Sequence, residues 1–187
     1  MKRIGDRVSI KENGNTSTIV ISTKIPSWQE TLLAAWLFCW TICGAVFIWQ
    51  LFEVETREQA LMIGVMCVFW AYYEVRVVKA FMWRKFGMEF IKLDQDNLTY
   101  KRSVRGYGKA HIYFIDNIKN LGVINKSDKS FFKSLEESFW VIGGERIGFD
   151  YLKKSVQLGM QLEEQDSKKL SSYIEKKVAS RIKDREE

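Results

Sequence analysis

Two long apolar runs interrupt a chain in which apolar and polar residues otherwise alternate. Residues 31 to 52, TLLAAWLFCWTICGAVFIWQLF, are 22 positions without a charge. At about 1.5 Å rise per residue that is the length needed to cross a hydrocarbon core of about 30 Å. The second run follows a short acidic turn, Glu53-Val54-Glu55-Thr56-Arg57-Glu58, and continues as QALMIGVMCVFWAYY from Gln59 to Tyr73 before its first charge. Alone, so short a run suits a buried soluble helix as well as a membrane span. Its neighbour favours the span, because a brief connection after one crossing sends the chain back through the bilayer. The pattern predicts membrane helices over about 31–52 and 59–80. The first run does not read as a secretory signal, since polar, strand-like residues precede it and no small-residue cleavage pattern follows.

The flanking charges orient this hairpin. Lys2, Arg3, Arg7, Lys11 and Lys24 precede it, Arg57 stands against Glu53, Glu55 and Glu58 in the connection, and Arg76, Lys79, Arg84 and Lys85 follow Tyr73. The excess of basic residues on one side predicts a multi-pass protein of the cytoplasmic (inner) membrane with both termini cytoplasmic. Within VFWAYYEVRVVKAFMW, Arg76 and Lys79 fall at the boundary, where long basic side chains reach the headgroups. Glu74 is too short to do so. It is expected to face the first helix or the cytoplasmic domain, bonded to the Trp36 indole, a tyrosine hydroxyl or a basic residue, so Glu74 and Arg76 are marked as intramembrane structural or coupling charges.

Elsewhere the alternation is that of strands. Residues 7–25 carry two strand-like runs around Asn13-Gly14-Asn15, a hairpin turn, and Pro26 ends the second, leaving Ser27 to cap the first helix. From Gly87 onward MEFIKLD, LTYKRSV, AHIYFI, IKNLGVI, FWVIGG, RIGFDYL and KSVQLGMQL read as short strands separated by turn residues, a small antiparallel sandwich or barrel. The ending, LEEQDSKKLSSYIEKKVASRI, places Leu162, Leu170, Tyr173, Ile174, Val178 and Ile182 on one face of an amphipathic helix over 162–182, acidic residues leading and basic residues trailing. The chain thus divides into an N-terminal β-hairpin (1–27), a transmembrane hairpin (28–83) and a cytoplasmic domain (84–187).

Composition adds little until it is divided in this way. The whole chain, 187 residues with mean hydropathy −0.19, looks soluble, because the apolar load is concentrated in the two runs. Cys39, Cys43 and Cys67 all lie inside them, with neither a disulfide framework nor zinc-type spacing, and read as small packing residues.

The order of elements resembles a group of bacterial membrane proteins with a pleckstrin-homology-like cytoplasmic domain. The likeness is carried by the proline-ended β-hairpin, the aromatic membrane hairpin and the segment FGMEFIKLDQDNLTYKRSVRGYGKAHIYFIDNIKNLGV. Its most specific part is the ending, IGFDYLKKSVQLGMQLEEQDSKKLSSYIEK. The resemblance implies a membrane α+β protein, with a two-helix transmembrane hairpin and a seven-stranded PH-like sandwich capped by the C-terminal helix. It implies little about activity, because that fold serves many binding functions.

Candidate chemistry is sparse. His111, the single histidine, sits in a strand beside apolar residues and reads as structural. Gly143 to Gly148, GGERIG, lack the strand-to-helix setting of a phosphate loop and read as a turn. With no catalytic constellation, the expectation is a non-enzymatic protein without cofactor or metal. Binding is the better prospect. The chain from Arg84 onward carries an excess of basic residues, and Arg84, Lys85, Lys101, Arg102, Arg105 and Lys109 cluster close after the membrane. Either they serve topology and solubility, or they rest on anionic headgroups, at about 1 kcal/mol each near the surface. Tyr100 and Tyr107 form no stacking platform, which argues against nucleic acid. Phe131 and Phe132, in the polar segment 126–138, are either core residues or a partner contact. The function expected is a membrane-anchored interaction module, scaffold or accessory subunit, with membrane lipids and a protein partner or a second copy around it. The alternative is a sensor of anionic lipid headgroups.

Overall fold

The computed structural model describes residues 2–124 and 142–186. In order, the chain forms β1 (Lys2–Ile4), β2 (Val8–Asn13), β3 (Thr16–Ser22), α1 (Ser27–Glu53), α2 (Arg57–Phe86), β4 (Gly87–Leu93), β5 (Asn97–Val104), β6 (Ala110–Phe114), a 3₁₀ turn (Ile115–Asn117), β7 (Ile118–Val123), β8 (Glu145–Tyr151), β9 (Lys154–Met160) and α3 (Glu164–Glu186). This is an α+β chain with two long apolar helices, antiparallel sheets and a C-terminal helix. It divides into two compact units: a helical one within residues 25–85, and a sheet unit assembled from the segments on either side. Phe131, Phe132, the segment 126–138 and most of the expected FWVIGG strand lie outside the described residues.

The sheet unit begins with the turn the sequence predicts. Asn13 pairs with Thr16, and Gly14 takes φ +56° at the first of the two turn positions, where a side chain would be strained. β3 then alternates as TSTIVIS, turning Ser17, Ile19 and Ile21 inward. Its other edge pairs antiparallel with β4, from Ser17↔Leu93 to Ser22↔Met88. The N-terminal hairpin and the segment after Phe86 are therefore one sheet, ordered β1-β2-β3-β4-β5-β6. A second sheet, β7-β8-β9, packs on it through a common core that includes Ile10, Ile19, Ile91, Leu98, Ile147, Phe149 and Leu158. Six of the strands follow α2 and three precede α1 among the described residues; β1 is an addition to the two-stranded N-terminal hairpin, too short to show a period.

α3 closes this core with Leu170, Ile174 and Val178. Full burial of a leucine or isoleucine contributes about 1.5–3 kcal/mol. The helix starts at Glu164, two residues after the expected 162, and Leu162 is buried just before it. On its exposed side Tyr173 donates to Glu12 at 2.6 Å and Lys177 pairs with the same carboxylate at 2.9 Å. Those two hydrogen bonds hold the Glu12 carboxyl below its usual range.

In the helical unit, α1 has 27 residues and α2 has 30, so both exceed the length of a hydrocarbon core. Helix α1 opens at Ser27 with Pro26 in the cap position and no side-chain cap; the Gln29 and Glu30 amides bond to the Pro26 carbonyl instead. Gly44 lets the Trp70 ring lie against the α1 backbone, and the Trp70 indole donates to the Trp40 carbonyl at 2.9 Å. Most of the apolar surface faces outward: Trp49 is 69% exposed and Val68 72%. A core helix of a soluble protein would bury such residues.

Candidate functional site

Register explains where polar chemistry collects. Along the inner face of the larger sheet one row reads Ile10, Ile19, Ile91, Tyr100, His111, and the next reads Val8, Ile21, Glu89, Arg102. Each row is apolar in the middle of the sheet and polar toward β6. There the two sheets leave a cleft of about 520 Å³, lined by Tyr100, Arg102, Lys109, His111, Tyr113, Glu145, Ser155 and Gln157.

Arg102 is the fixed group of this cleft. Its guanidinium donates to the Tyr100 hydroxyl at 2.7 Å and to Glu145 at 2.7 Å. Burial works against its charge, but the Tyr100 oxygen, Glu89 and Glu145 outweigh it and hold the guanidinium above its ordinary pKa. Burial, reinforced by Glu89, pushes the Tyr100 phenol far up, so it stays protonated. By contrast the side chains of Lys109, His111, Ser155 and Gln157 make no hydrogen bond or ion pair among the described residues. His111 thus differs from the satisfied structural histidine that its apolar sequence neighbours suggest: it is exposed and faces the cleft.

Beneath the cleft Glu89 is fully buried and bridges the sheets. Its carboxylate accepts from the Gly159 amide at 2.8 Å and the Met160 amide at 3.2 Å. Gly159 has φ +74°, the left-handed conformation that can aim consecutive amides at one anion. Arg7 clamps the same end of β9, donating to the Gln161 and Met160 carbonyls and to Ser22 of β3. Burial lowers the Arg7 pKa, and Glu89, Asp166 and Glu163 offset this only in part. Alternation in MEFIKLD was the available signal for Glu89, since it shares a face with Ile91 and Leu93. The cleft partners Glu145, Ser155 and Gln157 had none, because only strand pairing brings them to Arg102.

The four of the six sequence-marked cations that lie in the sheet unit do not share one face. Arg102 and Lys109 share the cleft. Lys101, the neighbour of Arg102 on β5, points to the opposite face and donates to the Gly106 carbonyl at 3.0 Å. Arg105, at φ +52°, lies 4.0 Å over the Phe86 ring. In the helical unit Lys85 pairs with Glu30 at 3.0 Å, and Arg84 is buried. Glu74 does turn to the first helix, but its partner is Thr41, whose hydroxyl donates at 2.8 Å, rather than an indole, a tyrosine or a base. Trp36 stacks on Trp40 instead, and Arg76 donates to Tyr72 at 3.2 Å, one turn away.

The fold and cleft together define an α+β chain with two helices long and apolar enough to cross a membrane and a polar site in its sheet unit. No protein-family model, curated protein or solved structure matches it.

Proposed function

We propose that the chain is a two-span protein of the cytoplasmic membrane that holds a pleckstrin-homology-like unit at the inner face. There it acts as a non-enzymatic interaction module, a scaffold or accessory subunit of a membrane complex. Pairing of β3 with β4 supports the two-span reading. One strand precedes α1 and the other follows α2, an order that favours an even number of crossings. The basic residues around them favour the cytoplasm for that side. The PH-like reading is supported by two antiparallel sheets sharing a core that a C-terminal helix closes.

The observation that carries the binding role is β6. It is the last strand of its sheet and pairs only with β5 among the described residues. Its outer face presents Ile112 at 61% and Phe114 at 55% exposure beside the polar cleft. An open edge flanked by apolar side chains is a template for another chain, and proteins that leave one usually occupy it. Native mass spectrometry of the detergent-extracted protein is expected to retain a second protein subunit, and Ile112→Lys with Phe114→Lys to release it. Retention of the same complex by the double variant, or a wild-type chain that always runs alone, contradicts the reading.

A further inference from the structure

We infer that the side of β6 left unpaired among the described residues takes an extended segment of a partner protein whose side chains alternate acidic and apolar. This rests on the reading of the chain as an interaction module and specifies what its edge accepts. A strand added to β6 continues the ladder by main-chain hydrogen bonds, and its successive side chains fall on opposite faces. One set meets Ile112 and Phe114, both exposed and apolar. The other set enters the cleft, where Lys109, His111, Ser155 and Gln157 have no side-chain partner among the described residues. The charge of that set follows from the cleft lining, where the cations Arg102 and Lys109 stand against one carboxylate, Glu145. Within the cleft Glu145 is already engaged by Arg102, leaving Lys109 without an ion pair among the described residues.

An anionic bilayer is the competing source of negative charge, and the geometry favours the peptide. A flat surface needs its cations on one face, whereas Lys101 and Arg102 point to opposite faces of β5. A strand needs what β6 supplies, an open edge with an apolar side and a polar concave side.

The test titrates the full-length protein in detergent micelles against a short fluorescein-labelled peptide alternating glutamate and valine, read by anisotropy. A lysine and valine peptide of equal length is the control. The acidic peptide is expected to bind at least about tenfold tighter than the basic one, and Lys109→Glu to remove that preference. Lys109 is exposed and makes no ion pair among the described residues, so this variant leaves the fold intact, which circular dichroism checks. Equal binding of both peptides, or a preference that Lys109→Glu leaves unchanged, overturns the inference. So does protection of residues 97–114 from hydrogen exchange by phosphatidylglycerol nanodiscs but not by the peptide, which assigns the charge to lipid. If the Ile112 and Phe114 double variant still releases the native subunit while the peptide is ignored, the edge is an interface for different chemistry. If neither responds, the interaction-module reading falls too.

Discussion

Glu89→Ala is expected to destabilise the sheet unit by about 3–5 kcal/mol, the cost of breaking a buried charged contact from one side. The carboxylate accepts from two β9 amides, at 2.8 and 3.2 Å, and its removal takes that buried acceptor from both. It also removes the buried anion that offsets the desolvation of Arg7 and Arg102. Glu89→Gln should fall between, because a carboxamide offers one acceptor and turns its NH₂ toward the other amide. Gly159→Ala should cost about 1–2 kcal/mol through its left-handed backbone alone. Urea unfolding of the full chain in detergent, with hydrogen exchange at Gly159 and Met160, measures all three. A loss below about 1 kcal/mol for Glu89→Ala would mean that the carboxylate does not join the sheets.

The second large effect is in the helical unit. A Cβ built on Gly44 would lie 1.9 Å from Cε2 of Trp70, so Gly44→Ala forces the indole away and with it the hydrogen bond to the Trp40 carbonyl. Overpacking of this kind costs about 1–3 kcal/mol, and Trp70→Ala, which empties the site, about 3–5 kcal/mol. The two are coupled. Once Trp70 is removed its ring no longer opposes the added methyl, so Gly44→Ala in the Trp70→Ala background should be nearly neutral. Unfolding in mixed micelles of rising SDS content gives the cycle. Additive losses would show that Gly44 and Trp70 act separately.

How far the sequence anticipates this molecule depends on the range of the interaction. The helices α1 and α2, the Gly14 turn and the apolar face of α3 follow from local periodicity, which needs no partner to be read. Lys101 and Arg102 are adjacent in sequence and look like one basic patch; period-two alternation separates them, and only once β5 is known to be a strand throughout. The cleft is less legible still. His111 meets Tyr100, and Arg102 meets Glu145, through cross-strand and cross-sheet pairings with no sequence mark. Glu74 shows the same limit. That it faces α1 follows from the cost of an exposed carboxylate in an apolar helix, but its bond to Thr41 rather than Trp36 is set by how the two helices meet. The joining of the N-terminal hairpin to β4 is the largest such case, since 64 positions separate Thr23 from Gly87, whose carbonyl its hydroxyl bonds at 2.7 Å.

That pairing makes a topological demand, and labelling tests it most directly. In a background with Cys39, Cys43 and Cys67 changed to alanine, single cysteines replace the exposed residues Asn15, Glu55 and Lys153, and right-side-out spheroplasts are treated with a membrane-impermeant maleimide. The account predicts that Glu55→Cys reacts in intact spheroplasts, while Asn15→Cys and Lys153→Cys react only after permeabilisation. Labelling of Asn15→Cys and Lys153→Cys on opposite sides, or of all three positions on one side, would contradict it.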